Sequence, residues 1–234
     1  MDKQFSKEEV AEKVLEQYDE EQTRIFYTYV MGGGGNDIHF GIYRDPTDGV
    51  KESANRTTEW MMTQMDMAKE ITKDMHVLDV GSGHGGGSHA MAKKFGCKVT
   101  GINIGPGQNA MNVAKAKELG LGHLIDAVVG NINEPLPEEW TGKFDAIWSC
   151  EVLCHAGDKL ALFKDLYRCL KPGGVFVFSD ICGADGADEK ALKAFTDRNA
   201  TTFMGRPSQY IEYIKDSGFT YVNWWDGSNH LERY

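Results

Sequence analysis

The sequence predicts an α/β fold: an open, mostly parallel sheet with helices on both faces, preceded by an N-terminal helical cap. Three observations carry that expectation. From residue 76 onward, short β-branched runs alternate with helical stretches, and strands separated in this way pair in parallel through helical crossovers. One run, Val77-Leu78-Asp79-Val80, leads straight into the glycine-rich turn Gly81-Ser82-Gly83-His84-Gly85-Gly86 and then into a helix. Residues 1–75 lack the alternation and read as amphipathic helix and aromatic-rich loop. Two units are therefore expected, a covering segment over 1–75 and a sheet unit over 76–234.

In chain order, Ser6 and Glu9 form a capping box, after which Val10, Val14, Leu15 and Tyr18 make one helical stripe. A glycine run, Gly32–Gly35, follows close behind Phe26, Tyr27 and Tyr29. A second helix, roughly 54–71, carries Trp60, Met61, Met65 and Ala68, and its methionines read as core filling. Strands are expected over 76–80, 97–104, 125–131, 144–150, 174–181 and 219–225. Helices fall around 88–95, 109–119, 159–170 and 207–217.

Composition narrows the class of function. The 234 residues are 41% hydrophobic, which is ample for one large domain with a buried core. A net charge of −10 repels phosphate backbones, so nucleic acid and anionic membranes are not the expected partners. No run of apolar residues is long enough for a transmembrane helix, and the polar start predicts no secretory signal. Cys97, Cys150, Cys154, Cys169 and Cys182 are odd in number and widely spaced, without a metal-binding pattern. They predict free thiols in a cytoplasmic enzyme with no metal centre.

The glycine turn is the sharpest feature. Glycines there supply the left-handed conformations a tight turn needs and let a ligand approach the backbone closely. Asp79, inside an apolar strand, is a carboxylate that would be costly to leave unpaired. No Gly-Lys-Ser/Thr follows, which argues against a nucleoside triphosphate and leaves a dinucleotide or S-adenosylmethionine (SAM).

Val77-Leu78-Asp79-Val80-Gly81-Ser82-Gly83 resembles the first motif of the class I SAM-dependent methyltransferases, whose sheet is Rossmann-like. Thr100-Gly101-Ile102-Asn103-Ile104, Gly130-Asn131-Ile132, Phe144-Asp145-Ala146-Ile147-Trp148-Ser149 and Leu170-Lys171-Pro172-Gly173-Gly174 follow in family order. The stretch from Phe26 to Tyr43, with Gly32–Gly35 and Asp37-Ile38-His39-Phe40-Gly41, resembles the sarcosine/dimethylglycine N-methyltransferases of glycine betaine synthesis. The resemblance extends from about residue 18 to the end. It implies SAM as cofactor, S-adenosylhomocysteine as product, and a SAM site that includes Asp79, Gly81, Ser82, Gly83, Asn103 and Ile104. Gln108, Asn131, Ile132, Ser149, Tyr27 and Gly33 complete the expected set. Asn103 replaces the usual ribose-binding acid, and Cys150-Glu151 replaces the family's Gln-Asp.

An acceptor amine titrates near lysine's value of about 10, so holding it neutral at pH 7 costs roughly 4 kcal/mol. His155 and His39 are the candidate proton acceptors. Tyr29 and Trp148 are candidate cation–π faces for the acceptor, and Arg56, Arg198 and Arg206 are candidate partners for its carboxylate. The expected reaction is methylation of a small zwitterionic amine, sarcosine or dimethylglycine, by a monomer or homodimer. S-methylation of a methylthio acid, or SAM binding without turnover, are the rivals. The resembling family continues beyond strand six with a further helix and a seventh strand, so this chain reads as short at its C-terminus. That predicts strand six closing directly on strand five, or a second chain covering the gap.

Overall fold

The computed structural model describes residues 7–198, 201 and 203–231. Ser6 of the expected capping box, and the side chains of Val10 and Tyr18 on the first helical stripe, lie outside what it describes.

The cap region begins with α1 (Lys7–Asp19) and α2 (Glu21–Phe26), then a π-helical turn over Tyr27–Met31 and the glycine run. The turn closes with Gly32 N–H donating to the Tyr27 carbonyl at 2.7 Å. α3 (Val50–Ala68) follows. The sheet unit consists of β1 (His76–Val80), α4 (Gly86–Phe95), β2 (Lys98–Asn103), α5 (Pro106–Glu118), β3 (Ile125–Val129), β4 (Phe144–Cys150), α6 (Lys159–Cys169) and β5 (Leu170–Ser179). It ends with α7 (Glu189–Arg198), α8 (Pro207–Asp216) and the short α9 (Ser228–Leu231).

The five strands form one wholly parallel sheet in the order β3-β2-β1-β4-β5. Alternate strand residues feed two cores, as a sheet covered on both faces requires. Leu78, Val80, Phe144 and Ile147 pack with α6 and Tyr210 of α8 on one face. Val77, Val99, Ala146 and Trp148 pack with Met61, Met62, Met65 and Met91 of α3 and α4 on the other. Met61, Met62 and Met65 of α3 are therefore core, whereas Met67 near its end is exposed. The expected turn before strand five is instead a bulge inside β5. Pairing starts at Phe144↔Leu170 and resumes at Ala146↔Val175, so Lys171–Gly174 bow out of the ladder.

The expected sixth strand does not form: among the described residues, 219–225 joins no ladder. The physical reason is where its aromatics are anchored. Phe219 packs 5.0 Å from Tyr167 of α6, on one face, whereas Trp225 packs 4.9 Å from Trp60 of α3, on the other. The segment consequently crosses the edge of β5 rather than running along it. Trp224 and Trp225 are exposed.

Candidate active site

The sheet order reverses between β1 and β4, because β2 leads away to one side and β5 to the other. Ligands of open parallel sheets bind at the carboxyl ends of strands at such a switch point. A cavity of about 270 Å³ lies there, lined by the glycine turn, the ends of β2 and β4, and the cap segment from Asn36 to Phe40.

Gly81 (φ 74°) and Gly83 (φ 49°) both take left-handed conformations. They serve different ends. A Cβ on Gly81 would run into the Val152 side chain, whereas one on Gly83 would meet only Ile38 Cδ1, at 3.9 Å. The space beside Gly83 is thus open cavity, which a ligand approaching the backbone requires. Asp79 accepts a 2.6 Å hydrogen bond from the Ser88 hydroxyl of α4. Burial pushes its pKa up to about 6, with the Ser88 bond opposing and Asp37 adding to the rise. Asn103 at the end of β2 donates through Nδ2 to Gln108 Oε1 (2.9 Å), tying the strand to the first turn of α5. Ser82, Ile104, Asn131 and Ile132 line the same cavity, as does Tyr27 from the π-helical turn. Gly33 and Ser149 do not. Gly33 abuts Lys51, and the buried Ser149 hydroxyl donates to the Val80 carbonyl at 3.0 Å.

Both candidate histidines line the cavity. His39 has an oxygen opposite each ring nitrogen: the Phe40 carbonyl lies 3.2 Å from Nδ1 and the Thr58 hydroxyl 3.1 Å from Nε2. Asp37 Oδ1 is 3.7 Å from Nε2. Burial opposes an imidazolium here, but Cys150 and Asp37 outweigh it and raise the pKa well above the ordinary value. His155 reaches the cavity from the short turn after β4, where its carbonyl accepts from Asn133 Nδ2 at 3.2 Å. Trp148 lines the cavity as part of its floor, 1% exposed.

Three acceptor candidates are placed elsewhere. Tyr29 is 70% exposed and does not line the cavity. Arg56 is held by Asp48 (2.5 and 2.9 Å), by Glu52 (2.8 Å) and by the Ile42 carbonyl (3.1 Å), which fastens the loop before α3 to that helix. Arg206 caps the loop around Ala184 and Ala187 and pairs with Glu189. The side chain of Arg198 lies outside the described residues. No arginine or lysine is among the described residues that line the cavity, whereas Asp37, Asp79 and Glu151 are.

Asp37, Cys150 and Glu151 are cavity residues to which the sequence alone assigns no role. The only signal for the last two is their departure from the family's Gln-Asp. Glu151 is the one non-glycine residue with positive φ (55°) among those described. Both carboxylate oxygens accept from the Phe40 N–H, at 3.0 and 3.1 Å. Burial pushes its pKa up to about 7, against the pull of His39 and the Phe40 hydrogen bond. Ligating atoms of His39, Cys150 and Glu151 fall within 4.8 Å of one another, close enough to be considered as a metal site. Each already has a partner: Thr58 for the imidazole, the Ser179 hydroxyl for the thiol (3.1 Å) and Phe40 for the carboxylate.

A family model described as a methyltransferase domain matches residues 78–178, from β1 to β5. A sarcosine/dimethylglycine N-methyltransferase of Halorhodospira halochloris is 32% identical over 227 residues, 97% of this chain and 79% of that protein. A dimethylglycine N-methyltransferase of Parasynechococcus marenigrum is 30% identical over 218 residues, covering 93% and 75%. Among solved structures, a provisionally named sarcosine dimethylglycine methyltransferase from Galdieria sulphuraria superposes with a TM-score of 0.76. That match is 32% identical and covers 83% of this chain and 72% of the other. The motif order, the switch-point cavity and these extensive similarities agree: the chain belongs to the sarcosine/dimethylglycine N-methyltransferase family of SAM-dependent methyltransferases.

Proposed function

We propose that the protein transfers a methyl group from SAM to the nitrogen of a small zwitterionic amine, sarcosine or dimethylglycine, toward glycine betaine. The observation that carries this reading is a single cavity that joins the open cradle at Gly83 to the side chains of His39, Glu151 and His155. SAM supplies an electrophilic methyl carbon on a sulfonium. Gly81, Ser82, Gly83 and Asp79 would hold it from β1, and Asn103, Ile104, Asn131 and Ile132 from β2 and the loop after β3. Residues 1–75 act as a cap over the acceptor. Ala11, Val14, Tyr27 and Met31 close the cavity from that side and exclude water, which favours the neutral amine over the ammonium. The sheet unit, 76–234, holds the cofactor.

Arg56 and Arg206 are engaged elsewhere, so neither is available to the carboxylate of such an acceptor. No helix among the described residues is long and apolar enough to cross a membrane. We place the enzyme in the cytoplasm, as a monomer or homodimer with small-molecule rather than nucleic-acid substrates. An acceptor screen tests the reading: glycine, sarcosine, dimethylglycine and methylthio acids are incubated with SAM and the methylated products identified by mass spectrometry. Dimethylglycine or sarcosine is expected to be turned over. A preference for a thioether, with a rate flat from about pH 6 to 9, would assign sulfur as the acceptor atom instead.

A further inference from the structure

We propose that Glu151 is the catalytic carboxylate that takes the amine's proton, and that His39 holds it in position. This rests on amine methylation as the activity.

The backbone at Glu151 is the first sign. A left-handed conformation at a residue other than glycine is strained and persists where the surroundings enforce it. Here they do. The Glu151 N–H donates to the Ser179 carbonyl at 2.8 Å, continuing the β4–β5 ladder by one bond. The side chain then turns into the cavity, where the Phe40 N–H meets its carboxylate. The Phe40 carbonyl accepts from His39 Nδ1 and from Thr57 Oγ1 (2.9 Å), so one cap residue fixes the carboxylate and the imidazole together.

The protonation states assign the roles. The Phe40 carbonyl can only accept, which puts a proton on His39 Nδ1, and Asp37 Oδ1, 3.7 Å from Nε2, favours a second proton there beside the Thr58 hydroxyl; the resulting imidazolium cannot accept a proton. Glu151 can. Its carboxyl faces His39 from the cap and Asp180 from the loop after β5, with Cys150 beside it on β4. Those surroundings, with burial the largest cause, put it near pH 7. Asp180 is itself occupied by the Tyr210 hydroxyl and the Cys154 N–H, with Lys159 nearby.

Each methyl transfer releases one proton, and the balance closes on Glu151. The acceptor enters as an ammonium, and its N–H bond breaks to form O–H on the carboxylate. The freed nitrogen lone pair forms the new N–C bond while the C–S pair leaves with sulfur. Sarcosine thereby becomes a tertiary ammonium and dimethylglycine a quaternary one, each with one proton left on Glu151.

Glu151→Gln keeps an acceptor for the Phe40 N–H and removes the base. The expected result is a loss of 100-fold or more in kcat with dimethylglycine. The acid limb of kcat near pH 7 should disappear, and the Kd for SAM, by calorimetry, should stay within about twofold. A variant that retains kcat within about fivefold with its acid limb intact overturns the proposal. Should Glu151→Gln lose SAM binding, Glu151→Asp and the wild type decide. A measurable rate in Glu151→Asp with a shifted acid limb supports the role, and no acid limb in the wild type refutes it. If the wild type binds SAM but methylates no amine, it is the amine reading that fails, not the placement of the base. For His39, His39→Gln should move the acid limb while leaving KM for SAM unchanged, a shift that a purely structural residue would not produce.

Discussion

Gly83 and Asn103 test the cofactor site at the level of single side chains. Gly83→Val would fill open cavity beside the turn, where its Cβ meets only Ile38 Cδ1 at 3.9 Å, and at φ 49° it would also strain the turn locally. SAM binding is therefore expected to vanish in calorimetry while the far-UV circular dichroism stays that of the folded chain. Asn103→Ala removes the Gln108 partner and leaves a buried ligand hydroxyl unpaired, weakening SAM by about 1–3 kcal/mol. Unchanged affinity in both variants would move the site elsewhere. The place of Gly83 at an open cavity was legible in the sequence because an apolar strand that runs into closely spaced glycines builds a cradle from local chain geometry alone. Asp37 and Glu151 were not legible, since an isolated acid carries no periodicity and its burial depends on what folds over it. The engagement of Arg56 and Arg206 elsewhere was hidden for the same reason. The acids that claim Arg56 and Arg206, Asp48 and Glu189, lie 8 and 17 residues away with no motif linking them.

At the scale of elements, α4 shows why its first turn is Gly86-Gly87. A Cβ on Gly87 would stand 2.8 Å from the indole Nε1 of Trp148, whose ring is buried beneath the helix. Gly87→Ala should cost about 1–3 kcal/mol by overpacking, read as a lower midpoint in urea with an unchanged slope. Five strands could be read from the sequence because each presents a compact run of apolar or β-branched residues. The sixth run, Phe219-Thr220-Tyr221-Val222-Asn223-Trp224-Trp225, has the same local preference but a different fate. Tertiary anchors at Tyr167 and Trp60 overrule it, and neither can be inferred from the run itself.

Across the whole molecule, three carboxyls, the buried Asp79 and the half-buried Asp180 and Glu151, have pKa values raised by desolvation: Asp79 and Asp180 to about 6 and Glu151 to about 7. Each is a cost to the folded state at high pH. Below its unfolded value of 4.5, Glu151 is protonated in both states. As pH rises from there through 7, the unfolded chain gives up a proton that the folded one keeps, and stability falls by roughly 3 kcal/mol for this group. Thermal melts of the ligand-free protein should accordingly drop in midpoint between pH 5.5 and 8, and Glu151→Gln should flatten that slope. A cationic sulfonium near these acids offsets the cost, so the midpoint gain from saturating SAM should be larger at pH 8 than at pH 6. Equal gains at the two pH values would count against an acidic cofactor-side cavity.

The short cap stretch from Asn36 to Phe40 has a consequence for the order of events. At one end Asp37 lies against Gly86, where a Cβ would strike its carboxylate, at the start of the cofactor helix. At the other, Phe40 grips Glu151. Five consecutive residues thus join the two substrate sites mechanically, and whatever settles the first must be felt at the second. Compulsory-order kinetics are expected, with the cofactor entering first and its product leaving last. Because linkage is reciprocal, S-adenosylhomocysteine should tighten dimethylglycine by the same factor that dimethylglycine tightens S-adenosylhomocysteine. Paired calorimetric titrations read that factor directly, and a value of one would mean that the stretch transmits nothing.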